Sequence, residues 1–106
     1  MSDAIGARRA RVTLQRPTRV ADEIGGAAIA WSSEGDVWAE IEAGVASDGA
    51  GFDANPSVAF YRVKINRRDD VRAGWRIAWG ARRLRIVGVA DEGAPRIQLN
   101  CQEETL

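Results

Sequence analysis

The stretch DVWAEIEAG, Asp36 to Gly44, alternates with a period of two. Val37, Ala39, Ile41 and Ala43 fall on one side, and Trp38, Glu40 and Glu42 on the other. Strict alternation of this kind marks a half-buried β-strand, with the small and branched apolar side pointing to a core. The opposite side is less ordinary, because it sets the largest apolar side chain in the chain between carboxylates. In a simple barrel Trp38 cannot share the core of Val37, Ala39 and Ile41. It is therefore either an anchor for a partner or packed under the N-terminal segment of its own chain.

The same period runs on both sides of this strand. ARVTLQR alternates Ala10, Val12 and Leu14 with Arg11, Thr13 and Gln15, and Pro17 is expected to end that strand. Gly25 and Gly26 mark a turn or flexible arm before a return strand near Trp31, and SSEG reads as a turn or as a bulge in one long strand. Downstream, Tyr61, Val63 and Ile65 face inward between Arg62 and Lys64, and Trp75, Ile77 and Trp79 share a face. Gly80-Ala81 turns the chain into a strand in which Leu84 and Ile86 alternate with Arg83 and Arg85. Ile97, Leu99 and Cys101 close the pattern. The best helix candidate is a single turn over Asp3 to Arg9. Six or seven short strands separated by turns predict an all-β fold, a small and mostly antiparallel β-barrel in one domain spanning 1–106. One connection breaks the rhythm. Residues 44–57, GVASDGAGFDANPS, form a long Gly-rich loop whose one bulky side chain is Phe52, and loops of this length are usually functional or disordered.

Composition removes several classes of function. The chain has 106 residues, 45% of them hydrophobic and 28% charged, with a formal net charge of zero. That balance argues against nucleic-acid binding through a broad basic field. Fourteen of the fifteen basic residues are Arg, the cation better suited to bidentate contacts at interfaces. With no His and one Cys, a His/Cys metal site or a histidine-based triad cannot be built within one chain. No apolar run reaches the ~18 residues of a membrane span, and the N-terminal residues lack the apolar core of a signal peptide, so a cytoplasmic protein is expected.

Motifs for catalysis are weak. Asp69-Asp70 lies in a polar turn, and Glu40 and Glu42 sit about 7 Å apart by strand geometry without a pocket, a base or a metal ligand nearby. The 44–57 loop lacks the Gly-Lys-Ser/Thr ending of a phosphate loop. Cys101 reads as a small buried hydrophobe. The clusters Arg8, Arg9, Arg11 and Arg82, Arg83, Arg85 could touch phosphates, but neither is interleaved with aromatic residues in the sequence. No enzyme activity and no cofactor or metal are expected.

Taken in order, the motifs resemble a known family. Ile5-Gly6, the Arg11 to Arg16 strand, Trp38-Ala39, Arg68-Asp69, Gly74, Trp79-Gly80 and the Leu99 to Glu103 ending are similar to the phage head–tail adaptor proteins, also called head-closure, head-completion or stopper proteins. The resemblance spans nearly the whole chain. It implies a small β-barrel that forms a homo-oligomeric ring of six or twelve subunits below the portal-side adaptor protein of a phage, prophage or gene transfer agent. Such a ring closes the filled capsid, passes double-stranded DNA without reading its sequence, and docks a tail terminator or tail-tube protein. It would be cytoplasmic during assembly and then part of the particle. The subunit interface expected on this basis comprises Trp38, Glu40, Glu42, Arg9 and Arg11. In relatives the long loop projects into the channel and can gate it, which here singles out Asp48, Phe52, Asp53 and Asn55. A tail-completion or tail-terminator protein and a small-barrel nucleic-acid-binding module are the alternatives.

Overall fold

The computed structural model describes residues 8–21, 26–44 and 59–104. Six strands occupy most of them: β1 (Arg8–Ala21), β2 (Ala27–Gly44), β3 (Phe60–Asn66), β4 (Arg76–Trp79), β5 (Arg82–Ala90) and β6 (Arg96–Glu103). All pairings are antiparallel. The pairing order is β1-β2-β3-β6-β5-β4, and β4 returns to β1, so the sheet closes on itself. No helix occurs among the described residues. The helical turn expected over Asp3 to Arg9 is corrected at its described end: Arg8 and Arg9 belong to β1, where they pair with Ile41 and Glu40. Cross-strand partners fix these two arginines more firmly than one isolated helical turn can.

Most of the expected inward residues are buried. Val12 and Leu14 of β1, Ala39 and Ile41 of β2, Val63 and Ile65 of β3, Ile77 of β4, Leu84 and Ile86 of β5, and Ile97, Leu99 and Cys101 of β6 form one core. Each fully buried Leu or Ile contributes roughly 1.5–3 kcal/mol relative to exposure. Val71 and Trp75, from the connection between β3 and β4, complete this core. Trp79 and Tyr61 pack against it edge to face, with ring centroids 6.0 Å apart. Burial pushes the Cys101 thiol up to about 12, which leaves it an inert packing residue, as expected from the sequence. Of the Asp36–Gly44 stretch, Ala39 and Ile41 are buried and Val37 partly so, while Ala43 at the rim is exposed.

The end of β1 departs from the sequence reading. Pro17 does not end β1, because the strand continues through it to Ala21. A proline is tolerated in a strand where its missing N–H faces away from the paired neighbour. Pro17 pairs with Trp31 on β2, and β4 has already left β1 at Gln15. In consequence β1 and β2 are long, at 14 and 18 residues. Beyond Gln15 and Ser33 they pair only with each other, as a two-stranded ribbon projecting from the closed sheet.

SSEG is a bulge, the second of its two readings. Thr13 faces Asp36 and Gln15 faces Ser33, so Glu34 and Gly35 together oppose Leu14. Gly35 has φ 113°, a value L side chains rarely adopt. The extra residue shifts the parity of β2. Trp38 and Asp36 share the outer face with Arg11 and Thr13, and above the bulge Ser33, Trp31 and Ile29 take that same face opposite Gln15, Pro17 and Arg19. Glu34 meanwhile reaches Arg16 at 3.3 Å, and its carbonyl accepts from Arg68.

A Cβ at Gly35 would meet nothing nearer than Arg68 Nη1 at 3.9 Å, so the cost of Gly35→Ala is conformational. We expect a loss of about 1–3 kcal/mol in urea unfolding. Leu99→Ala empties the core and should cost about 2–5 kcal/mol in the same measurement.

Candidate functional site

Trp38 lies on the outer face of the closed part of the sheet and is 57% exposed. Its cross-strand partner is Arg11, and Glu40 beside it pairs with Arg9. The side chains of Arg9, Arg11, Trp38 and Glu40 therefore share one patch. The Arg9 guanidinium sits 5.7 Å from the centroid of the Trp38 ring, a cation–π distance. Arg11 approaches Asp36 at 3.9 Å, and Asp36 also accepts from the Thr13 hydroxyl at 2.7 Å. Glu40 is met by Arg96 at 3.7 Å and Glu42 by Arg62 at 3.5 Å. The five residues expected at an interface are thus brought to one outer face, with Glu42 one step along β2 from the others.

This face is not flat. β2 pairs with β3 only from Glu40 downward, so the two strands part above that point. The gap leaves an open cleft of about 500 Å³ bordered by Arg9, Trp38, Ala39, Glu40, Asn66 and Arg96. Asn66 and Arg96, which pair across β3 and β6, were not visible as site residues in the sequence. Nothing in their local pattern marks them, because only the strand order brings β6 near β2.

The two arginine clusters also change character in three dimensions. Neither is interleaved with aromatics along the chain, yet strand pairing supplies them. Arg9 meets Trp38, and Arg82 lies 4.3 Å from the Trp79 ring centroid and 5.2 Å from that of Tyr61. Gly80, with φ 60°, opens a two-residue turn that sets Trp79 opposite Arg82. Arg82 donates to both carboxylate oxygens of Glu103 at 2.9 Å and to the Tyr61 hydroxyl. This hydrogen bonding raises the Arg82 pKa and holds the Glu103 carboxyl below its ordinary value. The cluster ties β3, β5 and β6 together at one rim. It reads as a latch on the last strand rather than a site for phosphate. The spacing of Trp79 and Arg82 about Gly80-Ala81 is the signal that could have revealed it.

Asp69 and Asp70 lie exposed in the connection after β3, as a polar turn should. Asp70 accepts from Arg68 at 2.8 and 3.0 Å, which lowers its pKa. Among the described residues no three His, Cys, Asp or Glu side chains converge as a metal site would require. The loop residues Asp48, Phe52, Asp53 and Asn55 lie outside the described residues.

The fold and its outer patch define a small all-β protein whose closed sheet carries an exposed tryptophan–arginine face. The family model for phage head completion proteins matches residues 4–104, and the chain belongs to that family. It is thus a structural component of phage-like particles. Among solved structures it is similar to a chain of the virion of a native gene transfer agent particle, at 29% identity and a TM-score of 0.66, covering 90% of this chain and 93% of that one. It also shares the fold of protein SF1141 from Shigella flexneri 2a, a solution structure, at 24% identity and a TM-score of 0.69, covering 95% of this chain and 96% of that one. No curated protein matches it in sequence.

The pKa directions give an acid-stability prediction. Glu103 has a depressed folded-state pKa, so its contribution is complete above its ordinary value of 4.5 and is lost as pH falls through the lower folded value. Arg82→Met removes the cause of the depression. The variant should be less stable than wild type at pH 7, and the difference should shrink as the pH is lowered below 4.5 in urea titrations.

Proposed function

We propose that this chain closes the head of a phage-like particle by assembling as a ring at the head–tail junction. The single observation that carries the reading is Trp38. A tryptophan held 57% exposed on a closed sheet, with Arg9 against its ring, is the composition of an interface anchor. Family membership supplies the particle, and the patch supplies a means of joining it. The ring uses the face of Trp38, Glu40, Glu42, Arg9 and Arg11 for contact with a neighbouring copy or the adjacent ring. Assembly takes place in the cytoplasm, with a portal-side adaptor protein above and a tail terminator or tail-tube protein below. Double-stranded DNA passes through the lumen without sequence recognition. A net charge of zero suits such a conduit better than a DNA clamp. The role is mechanical and needs no catalytic residue or cofactor. By the family resemblance, Asp48, Phe52, Asp53 and Asn55 are the residues we assign to the channel.

Two measurements test this. Deletion of the gene should yield capsids that lose their DNA and carry no tail, and purified protein should rescue them. Capsids that keep DNA and lack only finished tails would move the protein to tail completion. Normal particles would reject both roles. Trp38→Ala should abolish rescue at least tenfold while leaving the urea midpoint within the small range typical of surface substitutions, about 0.5 kcal/mol. An unfolded variant would instead make Trp38 part of the fold.

A further inference from the structure

The zero net charge of the chain is unevenly laid out. All fifteen cations and ten of the fifteen carboxylates lie in the described residues. One local excess of cations lies on the outer face of β4 and β5. Ile77, Leu84 and Ile86 are buried in the core, so Arg76, Ala78, Arg83 and Arg85 fall on the opposite side. Register sets Arg76 directly opposite Arg85, and Ala78 opposite Arg83. Gln102 of β6 pairs with Arg85, and Gln15 of β1 with Arg76. One row thus reads amide, arginine, arginine, amide across four neighbouring strands. Like charges directly opposite each other in a sheet are destabilising, a cost that the fold alone does not explain.

A single carboxylate meets these arginines among the described residues. Glu104 approaches Arg76 and Arg85 at 3.7 Å each. The Arg83 guanidinium donates instead to the Gly80 and Arg82 carbonyls, both at 3.0 Å, which holds it in place. Three arginines against Glu104 leave two positive charges on the face. Arg76 lies low, stacked on Trp31, while the Arg85 side chain is 53% exposed. A protein partner would need an apolar anchor here. The centre of the face is Ala78, and the exposed large apolar side chains Trp38 and Val87 stand only at its margins. Phosphate contact needs no such anchor, only cations and amides held in position.

We infer that the outer face of β4 and β5 meets the phosphate backbone of double-stranded DNA, and is therefore the side of the closed sheet that turns to the lumen. This deepens the ring reading and rests on it. β4 and β2 are separated by β1 in the closed order, so the arginine face and the Trp38 face point in different directions and serve two contacts at once. Two charges per chain touch passing DNA without clamping it, and the contact carries no sequence information.

Titration of the purified chain with a mixed-sequence DNA duplex, followed by backbone-amide NMR, tests the contact without the ring. The amides of Ala78, Arg83 and Arg85 should shift, and that of Lys64 on the far side of the closed sheet should not. Apparent affinity should fall about tenfold between about 50 and 200 mM salt, as release of two counterions requires. Arg83→Gln with Arg85→Gln should weaken binding about tenfold or more, while Arg83→Lys with Arg85→Lys, which keeps the charge, should retain most of it. Shifts at Lys64 as large as at Arg83, or glutamine variants that bind like wild type, would overturn the inference. A face unmoved by the duplex, in a protein whose glutamine variants still fail to rescue particles, would also overturn it and assign the face to an acidic protein. Orientation is read in rescued particles. A photo-reactive benzophenone side chain in place of Ala78 should trap packaged DNA, and one in place of Lys64 should not. Rescued particles without a DNA adduct at position 78 would overturn the inference and leave the ring reading standing. Particles indifferent to deletion of the gene would overturn both.

Discussion

The bulge at Glu34-Gly35 governs what the rest of the structure can do. Without it, an 18-residue strand would keep one parity throughout. The side that buries Ala39 and Ile41 would then also carry Ile29 and Trp31, and the ribbon would project with its aromatic on the core side. One extra residue opposite Leu14 resets the alternation. The lower half of β2 serves a closed core, and the upper half carries Trp31 and Ile29 on the outer face with Trp38. Gly35 makes this inexpensive, because only glycine takes φ 113° without strain.

Arginine is the second organising element. The outer faces are laced by pairs such as Arg62 with Glu42, Arg67 with Asp91 and Arg85 with Glu104. Exposed pairs of this kind add little stability individually. Their use is positional, since each planar fork fixes a long side chain that would otherwise be free. Arg76 shows the principle. It donates to Gln15 at 2.8 Å, approaches Glu104 at 3.7 Å and lies 4.1 Å from the Trp31 ring centroid. One side chain thereby braces the root of the ribbon against β4 and the C-terminal end of β6.

Most of the core was legible in the sequence, because a period of two leaves little freedom once one face is apolar. Val63 and Ile65, Leu84 and Ile86, and Ile97, Leu99 and Cys101 all lie where alternation puts them. The outer position of Trp38 followed from the same rule. What could not be read was pairing at a distance. Pro17 looked like a stop because a sequence does not show on which side a strand is free. The Asn66–Arg96 wall of the cleft depends on β6 lying next to β3, which no local motif encodes. Aromatic neighbours of the arginine clusters likewise come from across the sheet.

The strand order has a consequence for how the protein is made. β6 is the last of the described strands in chain order but lies in the middle of the pairing order, between β3 and β5. During synthesis β1 and β2 can pair early, because they are joined by a short connection. β3 and β5 then wait on either side of a missing neighbour, each with an unsatisfied edge. The sheet closes only after residues 96–103 have left the ribosome, and the Arg82 latch on Glu103 forms at that same moment. Closure of the subunit therefore waits for β6, and a chain without it has no finished surface with which to enter an assembly.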